Sequence, residues 1–119
     1  MEKIAVNSEI EVEIEVTIKV IGGKYKPLIL YILIHDGPNR FKDLMSSFNT
    51  ISQKTLTNQL KELESDGLIT RISYNEVPPR VEYFITEKGK TLLPILDLMC
   101  EWGEKNISDK YYLINPQCK

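Results

Sequence analysis

The most regular hydrophobic pattern in the chain is a leucine stripe in its middle, bounded by a capping residue and a glycine. The stripe consists of Leu56, Leu60 and Leu63, which share one face of a helix. Ser52 is a favoured N-cap residue before the stripe, and Gly67 follows it where helices commonly end. The pattern therefore predicts a helix from Ser52 to Asp66.

A shorter helix is predicted immediately before this one. Its apolar residues recur at amphipathic spacing over 40–48 and are Phe41, Leu44, Met45 and Phe48. Residues 49–51 leave only a short turn between the two helices, which is the helix-turn-helix arrangement. Further upstream, the apolar segment 28–34 predicts a buried helix, and Pro27 suits its first turn.

After Gly67 the apolar positions recur with a period of two, which predicts strands. The two expected strands cover 68–74 and 80–85, and the loop between them contains Pro78 and Pro79. Prolines donate no backbone hydrogen bond and restrict a loop's shape, so we expect this hairpin to protrude as a stiff wing.

Both ends of the chain carry apolar patterns of their own. Residues 10–21 alternate like a strand, yet Ile14, Ile18 and Ile21 also form a helical stripe, so the period alone leaves both structures open. Towards the other end, Thr86 begins a predicted helix through residue 104, with a kink or restart at Pro94.

The breadth of the C-terminal apolar surface predicts a homodimer, because such a helix tends to be buried against a second subunit. We expect a single domain with an N-terminal dimer-contact segment over 10–21, a DNA-binding core over 24–85, a C-terminal dimerisation helix within 86–106, and a tail over 109–119 without a usable period. The expected dimer contacts are Ile14, Ile18, Leu92, Ile95, Leu96, Met99 and Trp102.

Length and composition fit one ordinary globular domain of 119 residues. No apolar run approaches the roughly 18 residues of a membrane span, and the acidic N-terminus lacks the order of a signal peptide. We therefore expect a cytoplasmic protein with no membrane partner. The two cysteines do not make a disulfide framework. Cys100 is expected to be an inert packing side chain, and Cys118 to lie in a flexible end where it could oxidise.

The formal net charge of −2 looks unsuitable for a nucleic-acid binder, but the charge is unevenly distributed. Residues 1–21 hold five acidic and two basic residues, 22–61 hold six basic and two acidic, and 62–119 hold seven basic and ten acidic. Local charge determines phosphate contact, so the middle third is a candidate basic patch. Charge alone is equally compatible with a solvated helix face.

The outer side of the Ser52–Asp66 helix has the chemistry needed to read a major groove. Lys54, Asn58 and Lys61 lie opposite the leucines; asparagine can pair with an adenine edge, and lysine can reach guanine or phosphate. Short polar groups in its first turn favour phosphate. The expected DNA surface is Lys24, Lys26, Arg40, Lys42, Ser52, Gln53, Lys54, Thr55, Thr57, Asn58, Lys61, Arg71, Pro78, Pro79 and Arg80.

Some of these cations have alternative roles. Arg80 could insert into a narrow minor groove, or pair with Glu76 or Glu82 on its own hairpin. Lys24 and Lys26 oppose the dipole of the helix that starts beside them, and an anionic partner such as phosphate would remove that cost.

No catalytic or metal-binding pattern stands out. The single histidine, His35, is expected to be a C-terminal cap or a surface residue, and the chain contains neither a metal-site spacing nor a glycine-rich phosphate loop. We expect no catalytic activity, no metal and no cofactor. The alternative to DNA binding is a winged helix used for protein–protein assembly, but the cationic and polar outer face and wing favour DNA.

Five segments occur in collinear order: IGGKYKPLIL (21–30), GPNRFKDL (37–44), ISQKTLTNQLKELESDGLI (51–69), VPPRVEYFIT (77–86) and a glycine, leucine, proline and tryptophan pattern over 89–103. Together they closely resemble the HxlR family of bacterial transcriptional regulators, over roughly three quarters of the chain. The resemblance implies a mainly α fold with a small β-hairpin (α+β), namely a winged helix-turn-helix with N- and C-terminal dimerisation helices. It also implies a homodimeric regulator of double-stranded DNA, usually a repressor.

The resemblance places the Ser52–Asp66 helix in the major groove and favours a helix over about 14–21. Several family members sense electrophiles or oxidants through a cysteine about nine residues before the IGG motif, where this chain has Val12, which has no thiolate. Redox sensing at that position is therefore not expected. Tyr25 stands where the family commonly has tryptophan and should remain a buried aromatic. A dimer seam can host a small-molecule effector, but no residue identifies one.

Overall fold

The computed structural model describes residues 9–114 and 116–118. Parts of the N-terminus and tail considered above lie outside the described residues, namely 1–8, Asn115 and Lys119. Within that part, the elements are α1 (Glu13–Ile21), α2 (Lys26–Asp36), α3 (Phe41–Ser46), α4 (Gln53–Ser65), β1 (Ile69–Tyr74), β2 (Arg80–Ile85), α5 (Glu87–Lys90) and α6 (Leu93–Asn106). None of the described helices is both long enough and apolar enough to span a bilayer.

The predicted class, mainly helical with one β-hairpin, is confirmed. The ambiguous N-terminal segment is a helix, as the resemblance implied. Its first turn is stabilised by Glu15, whose carboxylate accepts hydrogen bonds from the backbone N–H groups of Glu11 (2.9 Å) and Val12 (3.2 Å).

The core forms where α2 packs under α4 and the hairpin. Ile29, Leu30 and Leu33 of α2 are almost completely buried, and Pro27 lies in the first turn of that helix. The predicted aromatic at Tyr25 is half-buried against Phe48, with ring centroids 5.3 Å apart. The predicted leucine stripe of α4 meets this core, because Leu56, Leu60 and Leu63 are all buried.

Both ends of α4 agree with the sequence prediction to within one residue. Ser52 caps the start, its hydroxyl oxygen accepting the backbone N–H of Thr55 at 3.0 Å. At the other end Gly67 adopts φ +77°, a conformation that glycine accommodates without strain, and the Leu68 N–H returns to the Leu63 carbonyl at 3.0 Å. The helix therefore stops where the hairpin begins.

The hairpin pairs β1 and β2 antiparallel, from Ile69 opposite Ile85 to Tyr74 opposite Arg80. A one-residue bridge adds Asn39 beside Tyr83: the Asn39 N–H donates to the Tyr83 carbonyl (3.1 Å), and the Tyr83 N–H donates to the Asn39 carbonyl (2.8 Å). This bridge ties the α2–α3 connection to the wing, and the sequence pattern did not predict it.

The helix predicted over 86–104 is divided in two, and of the two alternatives predicted at Pro94, a kink or a restart, the restart is observed. The chain forms the short helix α5, breaks, and restarts as α6 with Pro94 in its first turn, where the missing N–H costs little. Gly89 of α5 lies so close to the hairpin that a Cβ there would overlap the Leu68 carbonyl oxygen and lie 2.6 Å from Ile85 Cδ1. A larger residue would push α5 off the sheet.

Two expected dimer contacts lie in the chain's own core. Leu96 is only 3% exposed and belongs to the core where α6 contacts α2, and Leu92 is half-buried against the same core. The others remain on the surface of the single chain, as does Leu98, which was absent from the expected set; the exposed ones are Ile14, Ile18, Ile95, Leu98, Met99 and Trp102.

The expectation of unpaired cysteines is also wrong. Cys100, half-buried on α6, forms a disulfide with the exposed Cys118 of the tail, 18 residues later. The sequence contains the two thiols but no local pattern that brings them together.

Candidate nucleic-acid interface

The outer face of α4 carries the predicted row of polar and basic side chains. Lys54, Asn58 and Lys61 are all exposed, on the side opposite the buried leucines. In the described part of the chain, neither lysine forms an ion pair with a carboxylate. Both charges are therefore available to an anionic ligand.

In the first turn of α4, some of the predicted DNA-contacting groups already form hydrogen bonds with one another in the N-cap. The Ser52 hydroxyl lies 2.9 Å from Thr55 Oγ1 in addition to accepting the Thr55 N–H, so these two side chains stabilise each other. Gln53 is exposed and Thr57 is half-buried beside it. Gln53 and Thr57 thus offer polar atoms at a helix N-terminus, where the macrodipole favours a negative charge.

A groove of about 530 Å³ runs between α4 and the hairpin. Gln53, Thr57 and Lys61 line it from α4, and Arg71 of β1 lines it from the other side. Glu64 is the acidic residue in its wall, while its apolar lining comes from the core edge. The groove brings together a helix cation and a strand cation that lie ten positions apart in sequence.

Three further predicted cations lie on the surface of α3 and of the segments before α2 and α3. Lys24, Arg40 and Lys42 are exposed, and Lys24 Nζ lies 5.6 Å from the centroid of the Tyr25 ring. Arg40 is the N-cap residue of α3, where its backbone N–H donates to the Asp43 carboxylate at 3.0 Å. Its guanidinium makes no ion pair among the described residues.

Lys26 does not belong to the exposed surface, contrary to the sequence prediction. Its side chain is 8% exposed, and its ammonium lies 2.5 Å from a carboxylate oxygen of Glu62 on α4. The anionic partner expected for this lysine is therefore supplied by the protein. The pair joins the start of α2 to α4.

Arg80 pairs with Glu76 and Glu82 on its own hairpin, which was the predicted alternative to insertion into a minor groove. Its guanidinium nitrogens lie 2.9 Å from Glu76 and 3.6 Å from Glu82, and it stacks over the Tyr74 ring at 4.0 Å. Burial, followed by a hydrogen bond to Glu82, raises the pKa of the Tyr74 phenol above its ordinary value of 10.0. Arg80 thus stabilises the wing, whose tip residues Pro78 and Pro79 remain exposed.

Thr86 positions the wing against α4, a role that sequence reasoning missed. Its hydroxyl oxygen lies 2.7 Å from the Gly67 carbonyl oxygen and 3.0 Å from that of Leu68, and it accepts the Gly89 N–H at 3.0 Å. Lys88 reaches the Asp66 carbonyl from the same turn, at 2.8 Å. The cap at Thr86 was visible in the sequence, but its contacts 18 and 19 residues upstream were not.

Comparison with known proteins identifies the same architecture. Residues 20–111 match the family model for an HxlR-like helix-turn-helix. An uncharacterised HTH-type transcriptional regulator of Halalkalibacterium halodurans is 57% identical over 90 residues, which cover 76% of this chain and 80% of that protein. The HTH-type transcriptional regulator YtcD of Bacillus subtilis is 49% identical over 100 residues, covering 84% and 79% respectively.

Solved structures agree with these relatives. The redox regulator HypR in its oxidised form superposes with a TM-score of 0.77 at 47% identity, covering 82% of this chain and 99% of that one. The superposition covers most of both chains, so the overall fold is shared with a known regulator.

Proposed function

Because the chain belongs to the HxlR-like helix-turn-helix family of DNA-binding transcriptional regulators, we propose that it binds an inverted-repeat operator as a homodimer and represses transcription. The observation that carries the proposal is the outer row of α4. Lys54, Asn58 and Lys61 are exposed, and the two lysines have no acidic partner among the described residues. A helix of this kind fits the major groove, with asparagine and lysine at base edges or phosphates.

The remaining cations hold the DNA backbone around that helix. Arg71 and Lys61 flank the groove beside α4 and receive phosphates there, with Gln53 as a neutral donor. The exposed tip at Pro78 and Pro79 lies against the neighbouring minor groove or backbone. The rest of the proposed phosphate surface comprises Lys24, Arg40, Lys42, Ser52, Thr55 and Thr57, while Lys26 and Arg80 are left out because both are engaged within the chain.

The proposed dimer accounts for the apolar surface of α1 and α6. Ile14 and Ile18 are 70% and 59% exposed, and Leu98 and Trp102 are 62% and 69% exposed. With Val12, Val16, Ile95 and Met99, these side chains present roughly 800 Å² of apolar surface, about one side of a standard interface. Two copies would place their α4 helices in successive major grooves about 34 Å apart.

The first test is a pair of lysine substitutions on α4. Fragments bound by the purified protein are selected from genomic DNA, and the affinity for the best fragment is measured across a salt series. Lys54→Ala with Lys61→Ala should flatten the slope of log K against log salt by about two units, since each lysine that contacts phosphate releases about one counterion. An unchanged slope would exclude this row from the interface.

A matched control comes from two exposed lysines outside the proposed surface. Lys105→Ala with Lys110→Ala removes the same charge from the end of α6 and the tail, and should leave the slope unaltered. Transcription from a template carrying the selected fragment then decides the direction of regulation. Repression requires that added protein lowers the transcript; an increase would make the chain an activator and refute that part of the proposal.

The proposal also covers where the protein acts and where a small effector would bind. The chain acts where the genome lies, in the cytoplasm of a bacterial cell. Any small effector would occupy the apolar seam between the two copies, where a ligand could alter the spacing of the α4 helices.

A further inference from the structure

The tail after α6 is bent back along that helix by the disulfide. α6 ends at Asn106, and Cys100 lies six residues earlier, so the chain must return by about 9 Å to reach it. A turn closed by the Tyr111 N–H and the Ser108 carbonyl (3.1 Å) starts this return, and the two cysteine Cα atoms lie 6.0 Å apart. The segment 107–114 therefore belongs to a loop that starts at the end of α6 and is closed on that helix by the disulfide, and we call this segment the C-terminal arm.

The arm presents apolar side chains that the single chain leaves uncovered. Tyr111, Tyr112, Leu113 and Ile114 are 69%, 84%, 60% and 75% exposed. These four consecutive residues carry no charge, which is the composition of an interface centre rather than of a solvated tail. They add roughly 500 Å² of exposed apolar surface, more than an isolated surface side chain needs to explain.

We propose that the C-terminal arm docks on a second copy of this chain and does so only while the Cys100–Cys118 disulfide holds it. The arm starts where α6 ends and its chain is tied back to Cys100, between the exposed Leu98 and Met99 and the exposed Trp102, so both ends are anchored to the helix that carries the proposed dimer surface. The apolar surface of α1 and α6 is roughly 800 Å² per copy, and the arm enlarges the area available for burial beyond what one side of a standard interface needs. The inference rests on the proposed dimer.

The disulfide makes this contact conditional. Proteins that share a compartment with DNA meet thiol reductants, so a disulfide there forms in response to an oxidant. Two thiols lose two protons and two electrons as the S–S bond forms, and hydrogen peroxide takes them up to become two waters. Reduction frees the end of the arm from α6. Docking must then restrict a flexible segment, and the entropy lost makes the free energy of dimerisation less favourable.

The experiment compares the dimer dissociation constant of the full chain in two redox states by sedimentation velocity over a concentration series. Diamide oxidises the pair, a thiol reductant opens it, and a thiol titration verifies each state. The oxidised chain should dimerise about tenfold more tightly. Equal constants in the two states overturn the proposal, as does a disulfide between chains on a non-reducing gel.

Two variants locate the effect. Cys118→Ser, at an exposed position, should dimerise like reduced wild type with or without diamide. Tyr112→Asp with Leu113→Asp should keep the disulfide yet lose the redox difference, whereas Lys110→Ala should retain it. A redox difference that survives the two aspartates refutes docking through the arm.

The same samples are titrated with the selected DNA. Redox-dependent dimerisation without any DNA binding would refute the proposed function and support the arm. DNA binding with identical dimer constants in both states would refute the arm alone.

Discussion

Lys26 and Arg80 illustrate how a cation's role depends on its partners within the fold, one distant in sequence and the other local. Both are cations next to segments that the family resemblance assigns to DNA binding. Lys26 is nonetheless buried against Glu62, and Arg80 is held by Glu76 and Glu82. A charge that is already paired and desolvated has little to offer a phosphate, so neither belongs to the proposed surface.

Lys26→Met tests that assignment. The variant should leave the salt dependence of DNA binding unchanged, while Lys61→Ala lowers its slope by about one unit. Methionine fills the buried space, and Glu62 is 56% exposed and can be rehydrated. The free energy of unfolding should therefore change by less than about 1 kcal/mol in urea titrations. A reduced slope would return Lys26 to the DNA interface.

At the scale of elements, the position of the wing depends on a very short helix. α5 lies directly on the hairpin because Gly89 has no Cβ, and Thr86 joins its first turn to the end of α4. The end of α4, the wing and α5 consequently share one set of contacts around residues 66–89.

Gly89→Ala should therefore destabilise the fold by about 1–3 kcal/mol, since the added methyl group meets the Leu68 carbonyl and Ile85. Gly103→Ala is the matched control: apart from its chain neighbours and the backbone of its own helix, no atom of the described residues lies within 4 Å of the added Cβ, and the position is inside α6. It should stabilise by about 0.5–1 kcal/mol. Urea unfolding followed by circular dichroism compares the two, and equal effects would contradict the proposed packing of α5.

Local patterns predicted the elements well where the causes are local. Ser52, Gly67 and the leucine period are all properties of one segment, so α4 and both strands could be predicted nearly to the residue. The errors arise where the cause lies elsewhere in the chain. Burial of Leu96 depends on α2, and the Cys100–Cys118 bond depends on a tail without periodicity. At the candidate site, the exposed α4 row was predictable, and Glu76 and Glu82 were foreseen as possible partners of Arg80, while the pairing of Lys26 with the distant Glu62 was not predicted.

At the scale of the whole molecule, α1 and α6 each expose an apolar face that the single chain does not cover. The single chain buries Leu96 and half-buries Leu92 but leaves Leu98 and Trp102 exposed. Such surface is costly in water and marks an interaction site.

Leu98→Asp with Trp102→Asp should yield a monomer with an intact fold, because both side chains are more than half exposed in the single chain. DNA affinity should fall by at least about tenfold as the second half-site is lost. Light scattering and circular dichroism measure assembly and fold, and Glu104→Ala on the same helix serves as the control. A variant that remains dimeric would place the interface elsewhere.

The wing tip has a consequence for how this architecture can diversify. Val77 is fully exposed and its proline neighbours lie outside the core, so residues 75–79 can change in length without disturbing buried backbone. The 37–40 connection lacks that freedom, because Asn39 exchanges two hydrogen bonds with Tyr83. Insertions and deletions that alter the reach of the protein along DNA should therefore be tolerated at the hairpin and selected against at Asn39.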